Sequence, residues 1–166
     1  MIRVLFVCLG NICRSPMAEA VFRQMLKEAG WADKVMVDSA GIGGWHVGER
    51  PHHGTLAVLE RERIPSEGLR ARQIHRTDLE TFDYIVAMDD ENLAGIRRIS
   101  RQPRARVLRL LDLVEDVSDK NVPDPYYTGN FDEVYALVQK GCARLLEVLA
   151  QEHGWIQPNQ KAHGQG

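Results

Sequence analysis

The chain has 166 residues, 44% hydrophobic and 27% charged, which is the balance of one folded domain able to bury a core without disulfides or metals. A formal net charge of -2 provides no strongly basic field, so neither nucleic acid nor an anionic membrane is expected as a partner. The three cysteines, an odd number, argue against a disulfide framework and for a reducing, cytoplasmic compartment; no secretory leader or membrane span is expected either.

Residues 2–7 read as a buried strand interrupted only by Arg3. A loop over 9–15 follows, opened by Gly10. Ser15 is placed as a helix cap and Pro16 as the first helical residue, with a helix over 17–28 that Gly30 ends. Residues 35–37 are a second strand leading to Asp38, Ser39 and a glycine-rich loop that carries Trp45 and His46. Helices are expected over 54–63 and, capped by Thr77, over 77–81. A third strand over 84–88, a helix over 90–97 and a fourth strand over 107–110 come next. Residues 112–130, with Pro123 and Pro125, read as loop. The last helix, over 131–150, shows a core-facing stripe of Phe131, Val134, Val138, Cys142, Leu145 and Leu149. The domain is taken as 1–153, with a polar, frayed tail over 154–166. Strands alternating with helices predict a single doubly wound α/β domain, a four-stranded parallel sheet flanked by helices on both faces. Such sheets bind ligands at the carboxyl ends of their strands, and the first strand leads into Cys8.

Residues 8–16 read C-L-G-N-I-C-R-S-P. At a strand-to-helix junction the backbone N–H groups of Leu9, Gly10, Asn11, Ile12, Cys13, Arg14 and Ser15 can cradle an anion, helped by the helix dipole. The same donors favour a thiolate at Cys8, which makes it a nucleophile aimed at the bound anion. Arg14 can bind two phosphate oxygens through its planar fork. Asn11 can orient the loop, and the Ser15 hydroxyl can donate to the Cys8 sulfur. Taken singly, Cys8 is an ordinary core thiol, Arg14 a solvated first-turn residue and Ser15 a cap. Their joint spacing selects the chemical reading. Asp124, between two prolines and before Tyr126 and Tyr127, is either a turn residue or an acid for the leaving group. Trp45, Tyr126 and Tyr127 are candidate walls of a cleft deep enough for a phosphorylated ring.

The run V-C-L-G-N-I-C-R-S-P resembles the phosphate loop of the low-molecular-weight protein tyrosine phosphatases, and the chain resembles their bacterial members. V-D-S-A-G at 37–41, A-R-Q-I at 71–74, F-D-Y-I-V-A-M-D at 82–89 and V-P-D-P-Y-Y at 122–127 resemble further family segments in family order, over residues 2–150. The resemblance implies hydrolysis of phosphotyrosine in protein substrates and of aryl phosphates through a phosphocysteine. Asp124 would protonate the leaving oxygen and then take a proton from water. It implies a loop network containing Ser39, to which many members add a histidine where this chain has Leu69. It also implies no cofactor and no metal, inorganic phosphate as product and inhibitor, and a monomer. One or both paired tyrosines are phosphorylated in some members.

Two alternatives stand beside this reading. Protein-arginine phosphatases are similar but carry Thr where this chain has Ile12, and a catalytically silent phosphate-binding module would have no use for a nucleophile and an acid. Arsenate reduction would need a further redox cysteine pair, and only Cys142 remains, within a core stripe. Cys13 either packs below the loop or forms a reversible disulfide with Cys8 that protects the nucleophile. His52 and His53 read as surface residues, Asp89 and Asp90 as a helix start, and the arginines between 97 and 106 as a solvated face that can steer anionic substrates.

Overall fold

A computed structural model describes residues 1–156 of the chain. The strands β1 (Ile2–Cys8), β2 (Val35–Gly41), β3 (Tyr84–Ala87) and β4 (Arg106–Arg109) form one parallel sheet in the order β2-β1-β3-β4. Both faces of the sheet are covered, so the central strands are continuous apolar runs, as a parallel sheet requires. Side chains alternate between the faces with period two. Val4, Phe6, Cys8 and Val86 enter one core, and Leu5, Val7, Ile85 and Ala87 the other. The first core is closed by α1 (Arg14–Ala29), α2 (His53–Arg61) and α6 (Phe131–His153); the second is closed by α3 (Asp78–Thr81) and α4 (Asp90–Ile99). Each fully buried large side chain, such as Phe22 or Leu26 of α1 and Ile96 of α4, contributes about 1.5–3 kcal/mol of apolar burial.

The chain runs from β1 outward to β2 and then back across β1 to β3. The direction of winding therefore reverses between β1 and β3, and a crevice opens at their carboxyl ends. Cys8 ends β1 on one side of that crevice, and Asp89 follows β3 on the other.

Several boundaries differ from the sequence expectation, each for a local reason. Helix α1 starts at Arg14 and not at Pro16, with Cys13 in the cap position, and neither Cys13 nor Ser15 caps it with a side chain. Pro16 is third in the helix, where its missing N–H still falls among the amides that lack an intrahelical partner. Strand β2 continues to Gly41 because parallel pairing with β1 runs on to Cys8↔Gly41. Thr77 makes no capping bond; instead the carboxylate of Asp78 accepts from the His75 N–H at 2.8 Å. A 3₁₀ turn at Leu110–Leu113 replaces the expected end of the fourth strand and the start of the expected loop, and that loop also contains a short helix, α5 (Pro125–Thr128). Helix α6 runs on to His153 and closes on the left-handed Gly154. Of the tail expected over 154–166, residues 157–166 lie outside the described residues.

Candidate active site

The loop after β1 is held by its carbonyls. The carbonyl oxygens of Cys8, Leu9 and Ile12 accept from the N–H groups of Ile42, Gly43 and His52 at 2.8–2.9 Å. The Cys13 carbonyl accepts from Thr55 Oγ1 at 2.9 Å. With its oxygens drawn into the surrounding protein, the loop keeps its N–H groups for an anion: among the described residues those of 9–13 donate to nothing. Asn11 takes a left-handed backbone conformation, φ 58°, which asparagine tolerates better than most residues. Its side chain fixes that bend. Oδ1 accepts from the Arg72 N–H at 2.9 Å, while Nδ2 donates to Ser15 Oγ at 2.7 Å and to Ser39 Oγ at 3.0 Å. Ser15 Oγ lies 3.0 Å from Cys8 Sγ.

Leu69, at the position where the resemblance puts a histidine in many members, is buried in the apolar core. The network closes without it. Ser39 passes its own hydrogen to Glu19 Oε1 at 2.6 Å, and Glu19 Oε2 accepts from Arg23 Nη2 at 2.6 Å. Glu19 was not singled out in the sequence. Burial raises its pKa, against the pull of the Ser39 hydroxyl and Arg23.

Arg14 is 2% exposed. Nη1 donates to Asp89 Oδ2 at 2.5 Å and to the Val122 carbonyl at 3.0 Å, and Nη2 to Asp124 Oδ2 at 3.5 Å. Burial works against its charge, but Cys8, Asp89 and Asp124 outweigh it and hold the guanidinium protonated above its ordinary range. Its Nε is buried without a partner among the described residues, a donor free for an anion in the loop. Asp89 does cap a helix, as expected, accepting from the Asn92 N–H at 2.7 Å. Its second contact, with an arginine 75 positions away, had no local signal.

Asp124 reaches the cleft from a loop tied down at Val122, whose N–H donates to the Met88 carbonyl at 2.9 Å. Asp124 also caps α5, accepting from the Tyr126 N–H at 3.1 Å, with Pro125 in the first turn and Gly129 left-handed at the end. Asp124 thus caps a turn and at the same time lines the cleft.

A cleft of about 210 Å³ brings together Cys8, Leu9, Gly10, Ile12, Cys13, Arg14, Trp45, Asp124, Tyr126 and Tyr127. Ser39 stands behind the loop, joined to it through Asn11. His46, not singled out as a wall, also lines the cleft, with Nδ1 3.1 Å from Glu49 Oε1. Cys13 is a free, buried thiol; burial first, then Cys8 and Asp124, push its pKa up to about 12. Cys142 is free and fully buried in the core, which raises its pKa as well. His52 and His53 stack on each other at 4.2 Å, and His52 on Phe131 at 5.0 Å. Among the described residues no helix is long and apolar enough to cross a membrane.

The profile of the low molecular weight phosphotyrosine protein phosphatases matches residues 3–154. The chain is 54% identical over 153 residues to YfkJ of Bacillus subtilis, a low molecular weight protein-tyrosine-phosphatase, covering 92% of this chain and 98% of that protein. The crystal structure of YfkJ matches with a TM-score of 0.90 over 92% of this chain and 96% of its own. PtpA of Staphylococcus aureus, named likewise, is 43% identical over 152 residues, 92% of this chain and 96% of that protein. A Drosophila arginine phosphatase shares the fold at 32% identity and a TM-score of 0.81, over 88% of this chain and 96% of that one. The chain belongs to the low-molecular-weight protein tyrosine phosphatase family.

Proposed function

We propose that the protein hydrolyses phosphotyrosine in protein substrates, and aryl phosphate monoesters generally, with Cys8 as nucleophile, Arg14 as phosphate clamp and Asp124 as proton donor. The observation that carries this reading is the meeting of Cys8, Arg14 and Asp124 in one cleft, over a loop whose amides are free for an anion. The Cys8 thiolate attacks phosphorus, the P–O bond to the aryl group breaks, and Asp124 delivers a proton to the departing oxygen. Water then attacks the phosphocysteine and gives a proton to Asp124. The S–P bond breaks, and the sulfur leaves with the Ser15 hydroxyl donating to it. Loop amides of residues 9–15 and Arg14 hold the equatorial oxygens throughout, so positioning and electrostatics supply the catalysis.

Trp45, Tyr126 and Tyr127 take the substrate ring, and Ser39 supports the loop. Ile12 offers methyl groups where a hydroxyl would suit phosphoarginine, which favours the tyrosine substrate over the arginine one. Inorganic phosphate, as product, competes for the same loop. We further take residues 1–153 as the catalytic domain and the protein as a cytoplasmic monomer; three free cysteines suit a reducing compartment.

The test is hydrolysis of p-nitrophenyl phosphate with EDTA present. Cys8→Ser should lower kcat by at least about 10⁴-fold while the variant still binds phosphate. A folded, fully reduced wild type without turnover would overturn the reading in favour of a binding module. Faster turnover of phosphoarginyl than phosphotyrosyl peptides would shift it to the arginine phosphatase.

A further inference from the structure

Glu19 is a buried carboxylate that the phosphoryl-transfer steps do not use. It stands at the end of an unbroken chain, Arg23–Glu19–Ser39–Asn11–Ser15–Cys8, with every link between 2.6 and 3.0 Å. The direction of the hydrogens along that chain is not free. The Arg72 N–H can only donate, so Asn11 Oδ1 must be the acceptor there and Nδ2 must spend its two hydrogens on Ser15 and Ser39. Each serine then accepts from Asn11 and has one hydrogen left to place. Ser39 places its hydrogen on Glu19, and Ser15 places its hydrogen on the Cys8 sulfur.

The chain needs an acceptor at its far end, and Glu19 supplies it. Arg23 donates to the other carboxylate oxygen, and its Nη2 also donates to the Val37 carbonyl at 2.7 Å, which holds the carboxylate in place. Burial and the nearby Asp38 raise the Glu19 pKa, while Ser39 and Arg23 lower it. Arg72 occupies Asp38 through Nε at 3.1 Å. Leu69 offers no polar group to substitute for Glu19.

We infer that Glu19, anchored by Arg23, is a positioning residue for the nucleophile: it fixes the hydrogen-bond direction through Ser39 and Asn11 so that the Ser15 hydroxyl points at Cys8. The meaning given to Cys8 rests on the phosphatase reading. Without the terminal acceptor, the Ser39 hydrogen competes for a place within the chain. Asn11 then loses its hold on the left-handed turn, and Ser15 donates to sulfur less well, both to the attacking thiolate and to the departing one.

The experiment is a double-mutant cycle on kcat with p-nitrophenyl phosphate, using Glu19→Gln, Ser15→Ala and the pair. Glu19→Gln keeps the volume but places N–H donors where only acceptors fit. It should lower kcat about tenfold with KM unchanged, the size of one hydrogen bond, and add no further loss to Ser15→Ala. Arg23→Met, at a half-exposed position and so tolerated by the fold, should give a smaller loss that is also absent in the Ser15→Ala background. Unchanged kcat in folded Glu19→Gln, or a loss that adds fully to that of Ser15→Ala, overturns the inference. The alkylation rate of Cys8 by iodoacetamide gives a readout free of turnover, in which Glu19→Gln and Ser15→Ala should change the rate in the same direction and the pair no further. If that coupling holds while the wild type hydrolyses nothing, the phosphatase reading fails and the positioning role stands. If the wild type hydrolyses and the coupling is missing, the positioning role fails alone.

Discussion

The floor of the cleft and its rim are built on opposite principles. On the floor, Cys8 and Arg14 are each 2% exposed, and Asn11 and Ser15 are buried with them. Asn11, Ser15 and Arg14 are each tied to two other side chains and Cys8 to Ser15, and Asp89 and Glu19 anchor the network from outside. On the rim, Trp45, Tyr126 and Tyr127 are 70%, 52% and 75% exposed. Tyr126 rests on a second ring and on two histidines, 5.3 Å from Tyr127, 5.9 Å from His52 and 6.4 Å from His46. Moving phosphorus between sulfur and oxygen requires atoms held within a fraction of an ångström, which buried hydrogen bonds provide. Receiving a flat ring requires only apolar faces that lose little freedom when covered.

If the floor works by fixed geometry, changes there should cost rate far more than affinity. The largest effect after loss of the nucleophile is expected from Arg14→Lys. It keeps the charge but loses the planar fork, and should lower kcat on p-nitrophenyl phosphate by about 10²–10³-fold. A loss confined to KM would mean that the arginine merely binds. Asp124→Asn should lower kcat by about 10²-fold on phenyl phosphate, and by less on p-nitrophenyl phosphate, whose leaving group needs a proton less. Equal losses on both would remove Asp124 from proton transfer. Asp89→Asn keeps an oxygen to cap α4 but leaves the buried guanidinium without its shortest ion pair. Breaking such a pair costs about 3 kcal/mol, measurable by urea denaturation. Saturating phosphate should narrow that deficit by supplying another anion, and a deficit that phosphate does not touch would place the role of Asp89 in α4 rather than in the floor.

The floor was largely legible in the sequence because its parts are contiguous. Residues 8–16 carry the proposed nucleophile and clamp, the turn and the helix start in one short run of backbone. Even there, the helix began earlier than Ser15 and Pro16 suggested, because the Ser15 hydroxyl serves the sulfur rather than the helix. Asp89 and Glu19 escaped notice in their site roles because nothing local marks them. Asp89 looks like a cap and is one, while its contact with Arg14 depends on β1 and β3 lying side by side. Glu19 looks like one more polar residue on α1, and only the packing of that helix against β2 turns it toward Ser39. Helix α5 was missed although Asp124, Pro125 and Gly129 are good cap, first-turn and stop residues. Its four residues bury only Pro125, too little for any apolar period to register. The rim aromatics could be named, but not His46, whose place depends on the path of the glycine-rich loop.

The smallest effect belongs to the rim and tests whether rim and floor are separable. The ring of Trp45 packs against Gly43: a Cβ at Gly43 would fall 1.9 Å from Cζ3 and 2.4 Å from both Cε3 and Cη2. Gly43→Ala must therefore swing the ring away, and an exposed ring can move without disturbing the core. KM for a phosphotyrosyl peptide should rise roughly three- to tenfold, the size of one lost aromatic contact. The kcat should be kept, and no further loss should follow in a Trp45→Ala background. The same loop, however, hangs on the floor, since the N–H groups of Ile42 and Gly43 bond the Cys8 and Leu9 carbonyls. If Gly43→Ala lowers kcat on small and large substrates alike, the displacement has travelled through those two bonds into the anion cradle. The wall that selects the ring would then also set the geometry that cleaves it.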